Sequence, residues 1–290
     1  MQLDSIAAQT YVNWHLHVSD DGSIDQTLSI LEEFAFRCVQ PITVIKGPQK
    51  GPTLNFFHLI NAVVDYDERD LFAYCDQDDV WLPEKIATAV RTLAQMPSNR
   101  TPNLYCGRTQ TTDATLKPIG LTPIPTRPLS FGNALTQNVA GGNTMVFNTT
   151  LLQRLRHVNP EHSVWHDWST YLVATACGGE VFYDKTPYIL YRQHLSNVIG
   201  AEGGWAARLK RLVPNLKGKY RQWGDLTEQS LIDIQPFMAD EAGPQFEAFL
   251  QVRHAATGME RIRAIYAARI TRQSYLGQGA FLLAAWMNLV

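Results

Sequence analysis

The chain of 290 residues has little cysteine, no strong charge of either sign, and no long apolar run. Its four cysteines, Cys38, Cys75, Cys106 and Cys177, are scattered without CxxC spacing, which excludes the common thiolate zinc modules and a disulfide framework. Read singly, they are small buried hydrophobes of a reducing compartment. A formal net charge of −2 argues against a general nucleic-acid binder. No apolar stretch approaches the roughly twenty residues of a spanning helix, and no signal-peptide pattern opens the sequence. The expectation is a cytoplasmic protein, at most peripheral to the inner face of a membrane. Beyond Ala201 Lys and Arg outnumber Asp and Glu, whereas the first two hundred residues are acidic, so any anionic surface would meet the later part.

What is present is an alternation of strands and helices. Strands are expected at His15–Val18, Ile42–Ile45, Leu71–Cys75, Leu104–Cys106, near Met145–Phe147, at Val181–Tyr183 and at Ile189–Tyr191. Helices are expected from a Ser23/Gln26 capping box to about Phe36, at Leu54–Val64, Pro83–Leu93 and Asp167–Ala176. That order predicts an α/β domain with a mostly parallel sheet over residues 1–200, followed by a helical region over 201–290. Pro118, Pro123, Pro125 and Pro128 mark a long irregular connection after Thr112. Met1–Gln9 already has helical spacing, although a parallel unit normally opens with a strand, and the expectation is that such a strand is missing.

The most informative cluster is Asp76-Gln77-Asp78-Asp79, where the strand ending at Cys75 surfaces. In open α/β sheets ligands gather at the carboxyl ends of strands, so the cluster suits a divalent cation and a phosphorylated ligand. It equally suits an acidic turn that caps the helix after Pro83.

Taken together, the segments LDSIAAQTY, VSDDGSIDQT, CDQDDVWLPEK, VAGGNTMVFN, WHDW and YRQHLSNVIG occur in the order found in family 2 inverting glycosyltransferases. Over about residues 1–200 the chain resembles that family, of GT-A fold, and most of all its bacterial rhamnosyltransferase-like branch, which builds surface polysaccharide. The resemblance implies a Mn²⁺ or Mg²⁺ ion held by Asp78 and His194. It places Asp76 at the ribose, Asp21 at the pyrimidine, and Lys50 and Arg192 near the nucleotide or diphosphate, with Asn55 close by. Gly141 and Gly142 would let the backbone approach the sugar, and Asp167 would be the single general base of an inverting displacement. A helix start at Asp167 should keep it ionised, and an N-cap role is compatible with the same place. Trp165 and Trp168 are either acceptor-stacking or core residues. Asp79 stays open.

The implied partners are a dTDP- or UDP-linked sugar donor and a saccharide or lipid-linked acceptor. Arg253, Arg261, Arg263, Arg269 and Arg272, followed by Phe281–Trp286, fit either an interfacial amphipathic surface or a helical packing module. Two rivals come from other classes. An aspartate-nucleophile phosphatase would use the DxDxV string, although Gln229 stands where its later acidic pair would need an acid; a truncated, inactive binding protein would keep the motifs without turnover.

Overall fold

The computed structural model describes residues 1–96, 98–193 and 218–290. Helix α1 (Gln2–Ala7) leads to strand β1 (Leu16–Asp20), α2 (Thr27–Arg37), β2 (Ile42–Lys46) and α3 (Pro52–Ala62). Next come β3 (Leu71–Ala73), β4 (Val80–Trp81), α4 (Lys85–Ala94), β5 (Leu104–Gly107), β6 (Gln110–Thr112), β7 (Pro118–Leu121) and α5 (Phe131–Ala134). The α/β part ends with β8 (Val146–Asn148), α6 (Thr149–Leu155), α7 (His166–Ala176), β9 (Val181–Asp184) and β10 (Ile189–Arg192). Among the described residues four helices follow: α8 (Tyr220–Ile234), α9 (Ala242–His254), α10 (Gly258–Ala267) and α11 (Tyr275–Trp286).

The α/β class and the late helices match the sequence reading, but the pairing is mixed rather than mostly parallel. β1–β2, β5–β9 and β6–β10 run parallel, while β3–β8, β5–β8, β4–β10 and β6–β7 run antiparallel. The strands form three groups, β1-β2, β4-β10-β6-β7 and β3-β8-β5-β9. The antiparallel pairings come from β4 and β7, which interrupt what reads in sequence as a turn and an irregular loop, and from β8, which returns between β3 and β5.

Local chemistry explains the shifted boundaries. Ser23 does not cap α2, because its N–H is drawn back to the Asp20 carboxylate; the helix starts four residues later, where Asp25 accepts from the Thr27 N–H and hydroxyl. Pro52 opens α3 at its first turn, where a missing N–H costs nothing. Thr257 and Glu260 form a reciprocal capping box on α10. All four cysteines are free, with Cys106 fully buried and the others half-buried.

One continuous core joins the two parts of the chain. Phe57, Leu104, Phe147 and Tyr171 from the α/β part pack in the same cluster as Leu231, Ile234, Phe246, Phe249, Ile265 and Phe281 from the late helices. The late arginines divide accordingly: Arg253 is buried between Asp225 and Glu228, and Arg261 is buried, whereas Arg263 and Arg269 are exposed.

Candidate active site

The acidic cluster lies between β3 and β4, and the strand pairing decides what it meets. β4 pairs with β10, so Asp79 comes level with the end of that strand and accepts a hydrogen bond from the Arg192 backbone N–H. Asp79 is fully buried and also accepts from the Asn143 side chain, in the 3₁₀ turn Gly142–Thr144 before β8. It therefore clamps three segments together, and its other oxygen, Oδ1, has no partner among the described residues. Burial, opposed by the Asn143 bond and reinforced by Asp78, pushes its carboxyl up to about 6. Lys85 is fully buried nearby, with its ammonium 3.6 Å from the centre of the Trp81 ring and no hydrogen-bond partner among the described residues; burial pulls it down to about 8.

Asp76 is half-buried at the other end of the cluster. Burial pushes its carboxyl up to about 7, with repulsion from Asp79, Asp78 and Asp167 adding to the rise. Asp167, ninety residues on in sequence, therefore lies within electrostatic reach of the cluster. Four carboxylates on one side of a fold repel one another strongly unless a cation or protons offset them.

Asp167 sits in the first turn of α7, whose N-cap is Trp165, so it is not the cap. Its Oδ2 accepts from the Gly142 N–H at 3.2 Å and its Oδ1 from the Trp168 N–H at 2.7 Å, and the Asn138 side chain adds a further bond. Burial outweighs these bonds and lifts the carboxyl to about 6, so the helix start does not hold it in the ordinary carboxylate range.

Gly142 is explained by what stands over it. A Cβ there would lie 2.6 Å from His166 Nε2 and 3.3 Å from the Asp167 Cβ, so the bare backbone faces these two side chains rather than open space. The His166 ring stacks on Phe56 of α3 at 3.9 Å and meets Tyr74 edge-on at 4.9 Å. Sealed in this way, the imidazole is pulled down to about 3 by burial and stays neutral. Gly142→Ala is expected to push His166 and Asp167 out of register: turnover falls by roughly tenfold or more, while donor affinity measured by calorimetry changes little.

Asp21 and Lys50 form a second group at the ends of β1 and β2. The Asp21 carboxylate accepts from the Gln49 N–H at 2.5 Å and the Gly51 N–H at 2.8 Å, gripping the β2–α3 loop. Lys50, exposed on that loop, pairs with Glu161 at 3.3 Å. Asn55 is tied to β1 through the Ser19 hydroxyl at 2.6 Å and the Ser19 carbonyl at 2.9 Å. Phe56, one residue on, stacks on His166 and links this group to the start of α7. Gly141 caps the 3₁₀ turn, and a Cβ there would meet only the Asn143 side chain. Trp168 is core: it is buried and donates from Nε1 to the Ala134 carbonyl at 2.7 Å. His194 lies outside the described residues.

Thus Asp76, Asp78, Asp79, Gly142, Asp167 and Arg192 belong to one neighbourhood, with Asp21 and Lys50 joined to it through α3. Asn138, Asn143, His166 and Lys85 are contributors that motif reading misses. Lone amides, an imidazole and a lysine carry no spacing signal, and only the fold shows whom they meet. Among the described residues no three His, Cys, Asp or Glu side chains are gathered tightly enough to define a metal centre.

Comparison with known proteins gives this neighbourhood a class. Residues 2–155 match the Glycosyl transferase family 2 domain. The dTDP-rhamnosyl transferase RfbG of Shigella flexneri is 30% identical over 231 residues, 73% of each chain. A shorter match, 30% over 86 residues, covers 29% of this chain and 31% of the UDP-Glc:alpha-D-GlcNAc-diphosphoundecaprenol beta-1,3-glucosyltransferase WfgD of Escherichia coli. The crystal structure of S. aureus TarS 1-349 superposes with a TM-score of 0.60 at 14% identity, covering 99% of this chain and 83% of that one. The same protein in complex with UDP-GlcNAc gives 0.55 at 15%. The chain belongs to glycosyl transferase family 2, and it is a glycosyltransferase of the rhamnosyltransferase-like kind. The phosphatase reading falls with that assignment. Gly224 and Asp225, its nearest approach to a second acidic motif, lie in α8, where Asp225 pairs with the buried Arg253.

Proposed function

We propose that the protein transfers a sugar from a nucleoside diphosphate to a hydroxyl of a saccharide or lipid-linked acceptor, with inversion at the anomeric carbon, in surface polysaccharide synthesis. The observation that carries this reading is the convergence of the Asp76–Asp79 cluster with a buried Asp167 held by the Gly142 N–H. In one in-line displacement the acceptor oxygen attacks the anomeric carbon and the bond to the diphosphate oxygen breaks. Asp167 takes the acceptor proton as that oxygen gives up its electrons. A carboxyl lifted to about 6 is a better base than an ordinary aspartate, yet is still ionised at neutral pH.

The donor set fits a hard divalent ion, Mn²⁺ or Mg²⁺. Its atoms are carboxylate oxygens, burial and then their mutual repulsion raise Asp76, and Asp79 Oδ1 has no partner among the described residues. Asp78 would hold the ion from the described residues, with His194 as the expected further ligand and Asp76 at the ribose. Bound there, it would neutralise the leaving diphosphate. Asp21 and Lys50 stand at the strand ends, where a pyrimidine nucleotide would lie, and Arg192 would meet the diphosphate.

Similarity to the Shigella rhamnosyl transferase favours dTDP-rhamnose as donor, and the UDP-GlcNAc complex of TarS supports a nucleoside-diphosphate sugar in general. A lipid-linked acceptor would bring the protein to the inner face of the cell membrane. No helix among the described residues is long and apolar enough to cross it. Thermal melting across a panel of dTDP-, UDP- and GDP-sugars, with and without Mn²⁺, tests the donor. A dTDP-sugar should raise the melting temperature most, and only with metal; equal shifts without metal would remove the cation from the account.

A further inference from the structure

Helix α11 shows a face that the core does not use. Tyr275, Leu276, Leu283, Trp286 and Met287 are each more than half exposed. At 100° per residue all five fall on one side of the helix, opposite Phe281, Ala284 and Ala285, which are buried in the core. The helix contains no charged residue. Aromatic rings stand at its two ends, Tyr275 and Trp286, with aliphatic side chains between, the distribution favoured where hydrocarbon meets headgroups.

In the segment that carries this face, positive charge outweighs negative. From Ala255 to Val290 the chain carries four arginines against one acid, Glu260, whose carboxylate is engaged by the Thr257 N–H. Arg263 and Arg269 are exposed on and just beyond α10, which packs on α11, and the Arg127 guanidinium lies 4.9 Å from the Tyr275 ring. A second copy docked face to face would bring two surfaces of net positive charge together. An anionic lipid surface complements them.

The face is also tied to the base. Gln273, two residues before α11, accepts through Oε1 from the Thr126 and Arg127 N–H groups and donates to Asn133 of α5. The next residue of α5, Ala134, accepts from Trp168, the neighbour of Asp167.

We propose that the outer face of α11, with Arg127, Arg263 and Arg269 around it, lies in the headgroup layer of an anionic bilayer and presents the active site to acceptors anchored there. This rests on the lipid-linked acceptor reading above and names the surface that serves it. Flotation of the full chain with phosphatidylcholine vesicles, with and without phosphatidylglycerol, is the test, set beside Leu276→Asp/Leu283→Asp and Arg263→Gln. Both leucines point outward, so the double variant should keep its circular dichroism and its donor-induced thermal shift.

The wild-type chain should float with phosphatidylglycerol vesicles. The double variant should lose at least about tenfold in partitioning, and Arg263→Gln should weaken only the phosphatidylglycerol-dependent part. No flotation of the wild type, or equal flotation of the double variant, would overturn the proposal. So would a concentration-dependent dimer that the double variant breaks, because a second copy would then cover the face. Turnover of a water-soluble acceptor is read separately and should match wild type in the double variant; its absence from both proteins would count against the transfer reading, not against the membrane face.

Discussion

Asp167→Asn is expected to lower transfer by roughly a hundred- to ten-thousandfold while donor affinity stays near that of the parent. The amide fills the same space and still accepts from a neighbouring N–H, but it takes no proton. The same substitution should raise stability. In the fold the Asp167 carboxyl is lifted to about 6 by burial, whereas in the unfolded chain it titrates near 3.8. Above pH 6 both states are ionised, and the fold carries the full cost of a buried charge, about 1–3 kcal/mol. Between pH 6 and pH 3.8 the fold binds more protons than the unfolded chain, so the cost shrinks as pH falls and is gone below the lower value. Melting curves of parent and variant should therefore differ by a few degrees at pH 8 and converge toward pH 4. The acid limb of kcat/KM for the parent should fall near pH 6, well above the ordinary carboxylate range. A variant less stable than the parent at pH 8 would mean that the bonds from Gly142 and Trp168 outweigh burial.

Asp78→Asn should act on the other half of the reaction. Removing this carboxylate is expected to weaken Mn²⁺-dependent binding of a dTDP-sugar on the order of a hundredfold by calorimetry, with little loss of fold, because Asp78 is only partly buried and Asp79 supplies the structural clamp. Donor binding as tight as that of the parent, in the presence of metal, would take the cation away from Asp78. The two variants separate the steps: one keeps the donor and loses transfer, whereas the other loses the donor.

The neighbours Asp78 and Asp79 show what the sequence could not divide. Both follow the same strand and both are acids, yet a two-residue strand, β4, turns Asp79 inward against Asn143 and the Arg192 N–H. Such a short strand leaves no periodicity, and its partner β10 lies a hundred residues away, so nothing local announces it. The longer elements were legible because apolar spacing and flanking turns agree, as at β1, β2 and α7. The mixed sheet was not, because β8 returns antiparallel between two strands whose own sequences are compatible with either direction. Gly142 was legible as a special position, but the reason lay elsewhere: its missing side chain makes room for His166 and Asp167. Lys85 and His166 were silent because their meaning is burial. Asp21 was legible as a loop-end carboxylate, and the fold adds that its oxygens hold the backbone of the loop carrying Lys50.

The most direct measurement is the transfer reaction itself, followed by nuclear magnetic resonance with Mn²⁺, dTDP-rhamnose and a lipid-linked saccharide acceptor. The account predicts one nucleoside diphosphate released per glycosidic bond formed, an anomeric configuration opposite to that of the donor, and neither product with Asp167→Asn. Retained configuration, or undiminished transfer by that variant, would contradict it.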